Sequence, residues 1–135
     1  MSNPKKKLFT SCPMKGRTEE AIQHDMDRMH KMAEIVFDQE LEVIHTVIEN
    51  DPPKGVNWSI WYLGESIKKM AEADYFIGVC VDGFHGCEVE GHVARAYDIP
   101  STYLPREALM SDVIELERAN ANCCTFTGCP QTPLC

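Results

Sequence analysis

The sequence predicts one α/β domain of the Rossmann or flavodoxin-like type: a mostly parallel sheet of four to five strands with helices on both faces. Three observations carry this. Short apolar or β-branched runs alternate with longer stretches in which apolar residues recur at spacings of three and four. The run from Tyr75 to Val81 is apolar nearly throughout, as a strand buried on both faces must be. The 135 residues, 44% of them hydrophobic, suffice for one substantial core, with no sign of a repeat, a second domain or a low-complexity linker.

Lys6 to Cys12 reads as the first strand, entered from a basic end. Pro13, Gly16 and Arg17 make a loop, after which Thr18 is placed to cap a helix whose positive end suits Glu19 and Glu20. Ile22, Met26, Met29, Ala33, Val36 and Phe37 form the expected buried stripe of that helix. Leu41 to Ile48 reads as the second strand, followed by a loop with Pro52, Pro53 and Gly55. Asn57 or Ser59 caps the next helix, with Ile60, Leu63, Ile67, Met70 and Ala71 on its core face. After the Tyr75 to Val81 strand, a helix is expected beyond Gly86, with Val89, Val93, Ala94 and Ala96 on it. Ser101 to Leu104 is a short fourth strand and Glu107 to Ala121 a last helix. The α/β domain thus spans 1–121, and 122–135 is an irregular, cysteine-rich tail.

The formal net charge of −8 argues against a partner that is a nucleic-acid polymer, which calls for a basic face. No apolar run is long enough to cross a bilayer, and Lys5 to Lys7 lead into no long apolar segment, so neither a membrane partner nor a secretory signal is expected. A cytoplasmic location follows as the expectation. Seven cysteines, an odd number, argue against a disulfide framework. Cys123, Cys124, Cys129 and Cys135 crowd the tail, but their spacing matches no pair of zinc knuckles and no His lies among them. Free thiols are expected there, with no metal and no cofactor.

The segment Asp82 to Pro100 is the most informative. A glycine turn follows the third strand and delivers Glu88 and Glu90 onto the start of a helix. In an open α/β sheet, ligands bind at the carboxyl ends of strands, so a carboxylate there can meet a substrate. Two residues apart on a helix, Glu88 and Glu90 point in different directions, and one of them is expected to be a surface charge. His85 suits a general acid or a phosphate contact, although a lone loop His is more often a solvated side chain. In an enzyme reading, His85 or Asp82 is the acid beside Glu90. The loop SCPMKGR leaves the first strand at the same edge, and its Lys15 and Arg17 suit phosphate or a carboxylate. An ordinary solvated connector is an equally good reading of that loop. Trp58 offers a face for stacking on a ring, although an aromatic residue more often packs in a core or subunit contact. A single Glu at a helix start also has a purely structural reading, as a carboxylate satisfying backbone amides.

Three stretches together, LFTSCPMKGRTEEAI, WYLGESIKKMAEADYFIGV and GCEVEGHVARAYDIP, resemble the nucleoside 2-deoxyribosyltransferase-like family, most closely its small, uncharacterised branch found in phages and their bacterial hosts. The resemblance runs from Lys7 to about Leu104. It implies the same single-domain fold, a homo-oligomer, and a ligand derived from a nucleoside or nucleotide. In the family's enzymes a Glu attacks the anomeric carbon of a nucleoside, and that Glu falls on Glu90. The implied ligand-binding set is Phe9, Ser11, Cys12, Pro13, Met14, Lys15, Gly16, Arg17, Trp58, Ser66, Phe84 and Gly86. The chain departs from the family at three supporting positions. Phe9 stands for a Tyr that touches the catalytic Glu, Ser66 for an Asp, and Phe84 for a polar residue before the Glu. Two functions therefore remain open. One is an N-glycoside hydrolase or deoxyribosyltransferase acting through Glu90. The other is a non-catalytic protein that holds a nucleotide, such as a phage protein sequestering a host nucleotide signal in the host cytoplasm.

Overall fold

The computed structural model describes residues 4–46, 48 and 50–121 of the chain. The cysteine-rich tail predicted for 122–135 lies outside them. Four strands, β1 (Lys6–Thr10), β2 (Leu41–Val43), β3 (Tyr75–Val79) and β4 (Ser101–Leu104), form one sheet in the order β2-β1-β3-β4. All three pairings are parallel. Between them run α1 (Glu19–Phe37), α2 (Trp58–Met70) and α3 (His85–Ala96), and α4 (Asp112–Ala121) follows β4. This is the α/β fold that the sequence predicts.

The period-2 alternation of the strands sorts the core into two layers. Leu8 of β1, Ile77 and Val79 of β3 and Leu104 of β4 pack with Met29 and Ala33 of α1 and Val113 of α4. Phe9 and Phe76 point to the opposite face, against Met70 of α2 and Ala94 of α3. Helices thus cover both faces, α1 and α4 on one and α2 and α3 on the other. Thr18 caps α1 as predicted, accepting from the Ala21 N–H, and Asn57 does the same for α2 with Ile60.

Several boundaries differ from the predicted ones. The first and third strands end two residues early, at Thr10 and Val79, although Ser11 N–H still donates to Ile77 O and Cys80 N–H to Leu104 O. The second strand stops at Val43 instead of Ile48. Its ladder on β1 ends with Ile44 N–H to Leu8 O, after which Thr46 and Ile48 leave the sheet. The third helix starts at His85, before Gly86. The predicted last helix from Glu107 is broken into a 3₁₀ turn, Arg106–Ala108, and α4. At the break Leu109 is extended and buried, and the Met110 N–H is drawn to the Asp25 carboxylate. Val36 and Ile60, both expected in the core, are 50% and 67% exposed, and Ala71 is also at the surface.

Gly78 occupies the centre of β3. A Cβ there would lie 2.8 Å from Cε1 of Tyr103 and 3.0 Å from Cε1 of Phe76. The Phe76 ring is fully buried, and Tyr103 is packed edge-on against it with its hydroxyl bonded by Arg95, so relief of the contact requires one of them to shift. Gly78→Ala is expected to cost about 1–3 kcal/mol by overpacking, read as a lower midpoint in urea at unchanged slope. A midpoint equal to the parent would show that Tyr103 moves freely.

Candidate functional site

β1 and β3 are neighbours, yet their following helices cross opposite faces of the sheet: α1 packs on the Leu8 layer and α3 on the Phe9 layer. Where two connections diverge in this way, a crevice opens at the carboxyl ends of the strands. A cavity of about 800 Å³ lies there. Its walls come from the loop after β1 (Cys12 to Lys15), from Thr46 and Ile48, from α2, and from the turn and first helical residues after β3.

Glu90 lines this cavity and is 8% exposed. It lies on the face of α3 that also buries Gly91 and Ala94. The Ser11 hydroxyl donates to Glu90 Oε1 at 2.6 Å. Burial pushes the carboxyl above the usual carboxylate range, while the hydroxyls of Ser11 and then Ser66 favour the ionised form. Glu88 is the more exposed of the acidic pair, partly buried, with its carboxylate 3.5 Å from His85 Nδ1 across one helical turn. Two thiols flank the site. Burial raises Cys12 to about 12, against the pull of Arg17. Cys87 is raised further by burial, with the Glu90 charge adding to the effect. Both stay protonated near neutrality and are poor nucleophiles. Thr10 also lines the cavity, and its Oγ1 is buried without a hydrogen-bond partner.

The structure gathers most of the predicted site and disperses the rest. Phe9, Cys12, Pro13, Met14, Lys15, Ser66, Phe84, His85, Gly86 and Glu90 all line the cavity, and Ser11 reaches it through Glu90. Asp82 does not; it sits 3.7 Å from Arg106, among exposed side chains. His85 lines the mouth with a side chain 69% exposed. Trp58 is 65% exposed at the start of α2 and lies off the cavity. Gly16 takes a positive φ of 78° beneath Leu116 and makes the turn of the loop.

Arg17, expected at phosphate, is committed elsewhere. Its side chain is fully buried between Asp25 and Asp112. Nε and Nη2 bind the two Asp112 oxygens at 2.9 and 3.0 Å, Nη2 also meets Asp25, and Nη1 donates to Pro13 O at 3.1 Å. The guanidinium ties the first loop to α1 and α4 and has no free donor edge to offer a ligand.

Ser59, Tyr62 and Leu63 on α2 line the cavity without having been predicted to. The signal was present: together with Ser66 they repeat at three and four residues, one stripe of a helix. Among the described residues, no group of three or more His, Cys, Asp or Glu side chains is arranged to hold a metal ion. No helix among them is long and apolar enough to cross a membrane. No family model, curated protein or solved structure matches the chain.

Proposed function

We propose that the cavity binds a nucleoside- or nucleotide-derived ligand and that Glu90 attacks its anomeric carbon. One observation carries this: a buried carboxylate, held by a serine hydroxyl, lines a cavity large enough for such a ligand at the switch point of the sheet. In the reaction, a Glu90 oxygen forms an ester bond to C1′ as the bond from C1′ to the base nitrogen breaks. The base leaves with the electron pair and takes a proton from water at the cavity mouth. Water, or a second base in a transfer, then attacks C1′, releasing the sugar product and the free carboxylate. Phe9, Tyr62 and Phe84 supply apolar and aromatic surface for the base and sugar.

The non-catalytic reading, a protein that holds a nucleotide intact, has its own support. The candidate acids are poorly placed for proton delivery: His85 is mostly exposed and Asp82 stands off the cavity beside Arg106. Either way the ligand is a small molecule. The exposed Trp58 and Ile60 on α2, close to cavity-lining residues of the same helix, support a homo-oligomer. The reading places the protein in the cytoplasm, that of the host if a phage encodes it.

The test is incubation with a panel of nucleosides, deoxynucleotides and ADP-ribose-type signals, followed by chromatography. Free base released by the parent and not by Glu90→Gln supports the nucleophile. Intact ligand recovered after denaturation supports the holder. A panel in which nothing is bound or cleaved overturns both.

A further inference from the structure

Phe9 of β1 lines the same cavity as Glu90. Its ring is 1% exposed and stacked on Phe76, with centroids 5.9 Å apart, so it offers the carboxylate nothing polar. Two residues further on, strand periodicity returns a side chain to the same face, and that residue is Ser11. Ser11 is rigidly placed. Its N–H donates to Ile77 O at 2.9 Å, extending the β1–β3 ladder by one bond, and its carbonyl lies 3.8 Å from the Cys87 thiol. The residue is 1% exposed.

We infer that Ser11 is the positioning residue of this site: it binds Oε1 of Glu90 and orients the carboxylate so that the second oxygen is presented to the ligand. The inference rests on the proposed role of Glu90 as nucleophile. An O–H to O⁻ contact of 2.6 Å falls in the range of a charge-assisted hydrogen bond. A buried carboxylate without such a donor takes up a proton and stops being a nucleophile. Ser66 on α2 adds a second hydroxyl that favours the same ionised form. Support of the acid thus comes from the end of the strand and from the facing helix. The other titratable side chains around the cavity are Cys12 and Lys15 after β1, Tyr62 on α2, and His85 and Cys87 on α3. Of these, the two thiols remain neutral, so the serines are the groups nearest the carboxylate that set its protonation by hydrogen bonding.

The experiment is a carbon-detected NMR titration of the Glu90 carboxyl in the ligand-free protein, for the parent, Ser11→Ala, Ser11→Thr and Ser66→Ala. Ser11→Ala is expected to raise the Glu90 midpoint by about one pH unit or more, because a bond to the charged form is lost. Ser66→Ala is expected to raise it less, and Ser11→Thr, which keeps the hydroxyl, to hold it near the parent. A midpoint unmoved in folded Ser11→Ala overturns the assignment. If Ser11→Ala does not fold, an unmoved midpoint in folded Ser11→Cys, whose thiol is a much weaker donor than the hydroxyl, overturns it instead. The titration needs no ligand, so its failure is separate from failure of the ligand panel. With an active substrate in hand, kcat of Ser11→Ala falls at low pH while KM holds, and the acid limb of the profile follows the NMR midpoint.

Discussion

Arg17→Ala is expected to destabilise the fold by about 3–5 kcal/mol, the cost of leaving a buried charge without its partner. Asp25 has no solvent-exposed side-chain surface, and its two oxygens meet Arg17, the Met110 N–H and Nδ1 of His24. Removing the guanidinium leaves that buried carboxylate only the Met110 N–H and the His24 ring, frees the Pro13 carbonyl, and unties α4 from the first loop. Urea unfolding monitored by circular dichroism measures the loss, and a value under about 1 kcal/mol would mean that water replaces the guanidinium at little cost. The double variant Arg17→Met, Asp25→Leu is expected to recover part of the stability, since no charge is left buried, while the Met110 N–H, the His24 ring and the Pro13 carbonyl lose their partners. Acid should also weaken the parent through Asp112. The hydrogen bonds from Arg17 hold that carboxyl below the ordinary Asp range. A depressed folded-state pKa means stability that is present above the unfolded value of about 3.9 and is lost as pH falls through the folded one. Because Pro13, Met14 and Lys15 of the tethered loop line the cavity, ligand affinity should weaken along with stability.

Glu90→Gln is expected to move activity and stability in opposite directions. Without a carboxylate no glycosyl ester forms, and turnover should fall on the order of 10³-fold or more, as when a covalent nucleophile is removed elsewhere. Ligand affinity is expected to hold, because Gln keeps the shape of the side chain and one oxygen for the Ser11 hydroxyl. Stability is expected to rise at neutral pH. The folded state raises the Glu90 pKa, chiefly by burial. For a group raised in this way, stability is fully present below the unfolded pKa and is lost as pH climbs through the folded one. Each unit of difference costs about 1.4 kcal/mol at high pH. Gln carries no such cost, so its unfolding free energy should exceed the parent's at pH 7 and converge with it at low pH. Single-turnover assays and denaturation at both pH values provide the check. A variant less stable than the parent at pH 7 would mean that the carboxylate is fully compensated in the fold and has the structural role of a helix-start charge.

The residues that were legible in the sequence and those that were not differ in a physical way. Glu90 and the loop after β1 were legible because the edge of a parallel sheet is a property of element order, and element order follows from periodicity. Arg17 was misplaced at the ligand because its partners are far along the chain. Asp112 is 95 residues away, and nothing local marks Asp25 as buried. Val36 and Ile60 were assigned to the core as members of a stripe at spacings of three and four, but each falls at the edge of that stripe and faces outward once the neighbouring layer is in place. The Ser11 bond to Glu90 spans 79 residues, and only the pairing of β1 with β3 brings the two together.

What the sequence determined by itself was local: which segments become strands and helices, which residues cap them, and which loops meet at one edge of the sheet. Those are set by periodicities of two and 3.6 residues and by short-range hydrogen bonds, all contained within a few residues of each other. The tertiary structure alone decided how the charged and polar side chains are used. It buried Arg17 between two aspartates, left Asp82 and His85 near solvent, and closed Glu90 against Ser11. Whether a charge meets water, a partner or a ligand depends on the layers packed around it, and those layers are assembled from segments far apart in the chain.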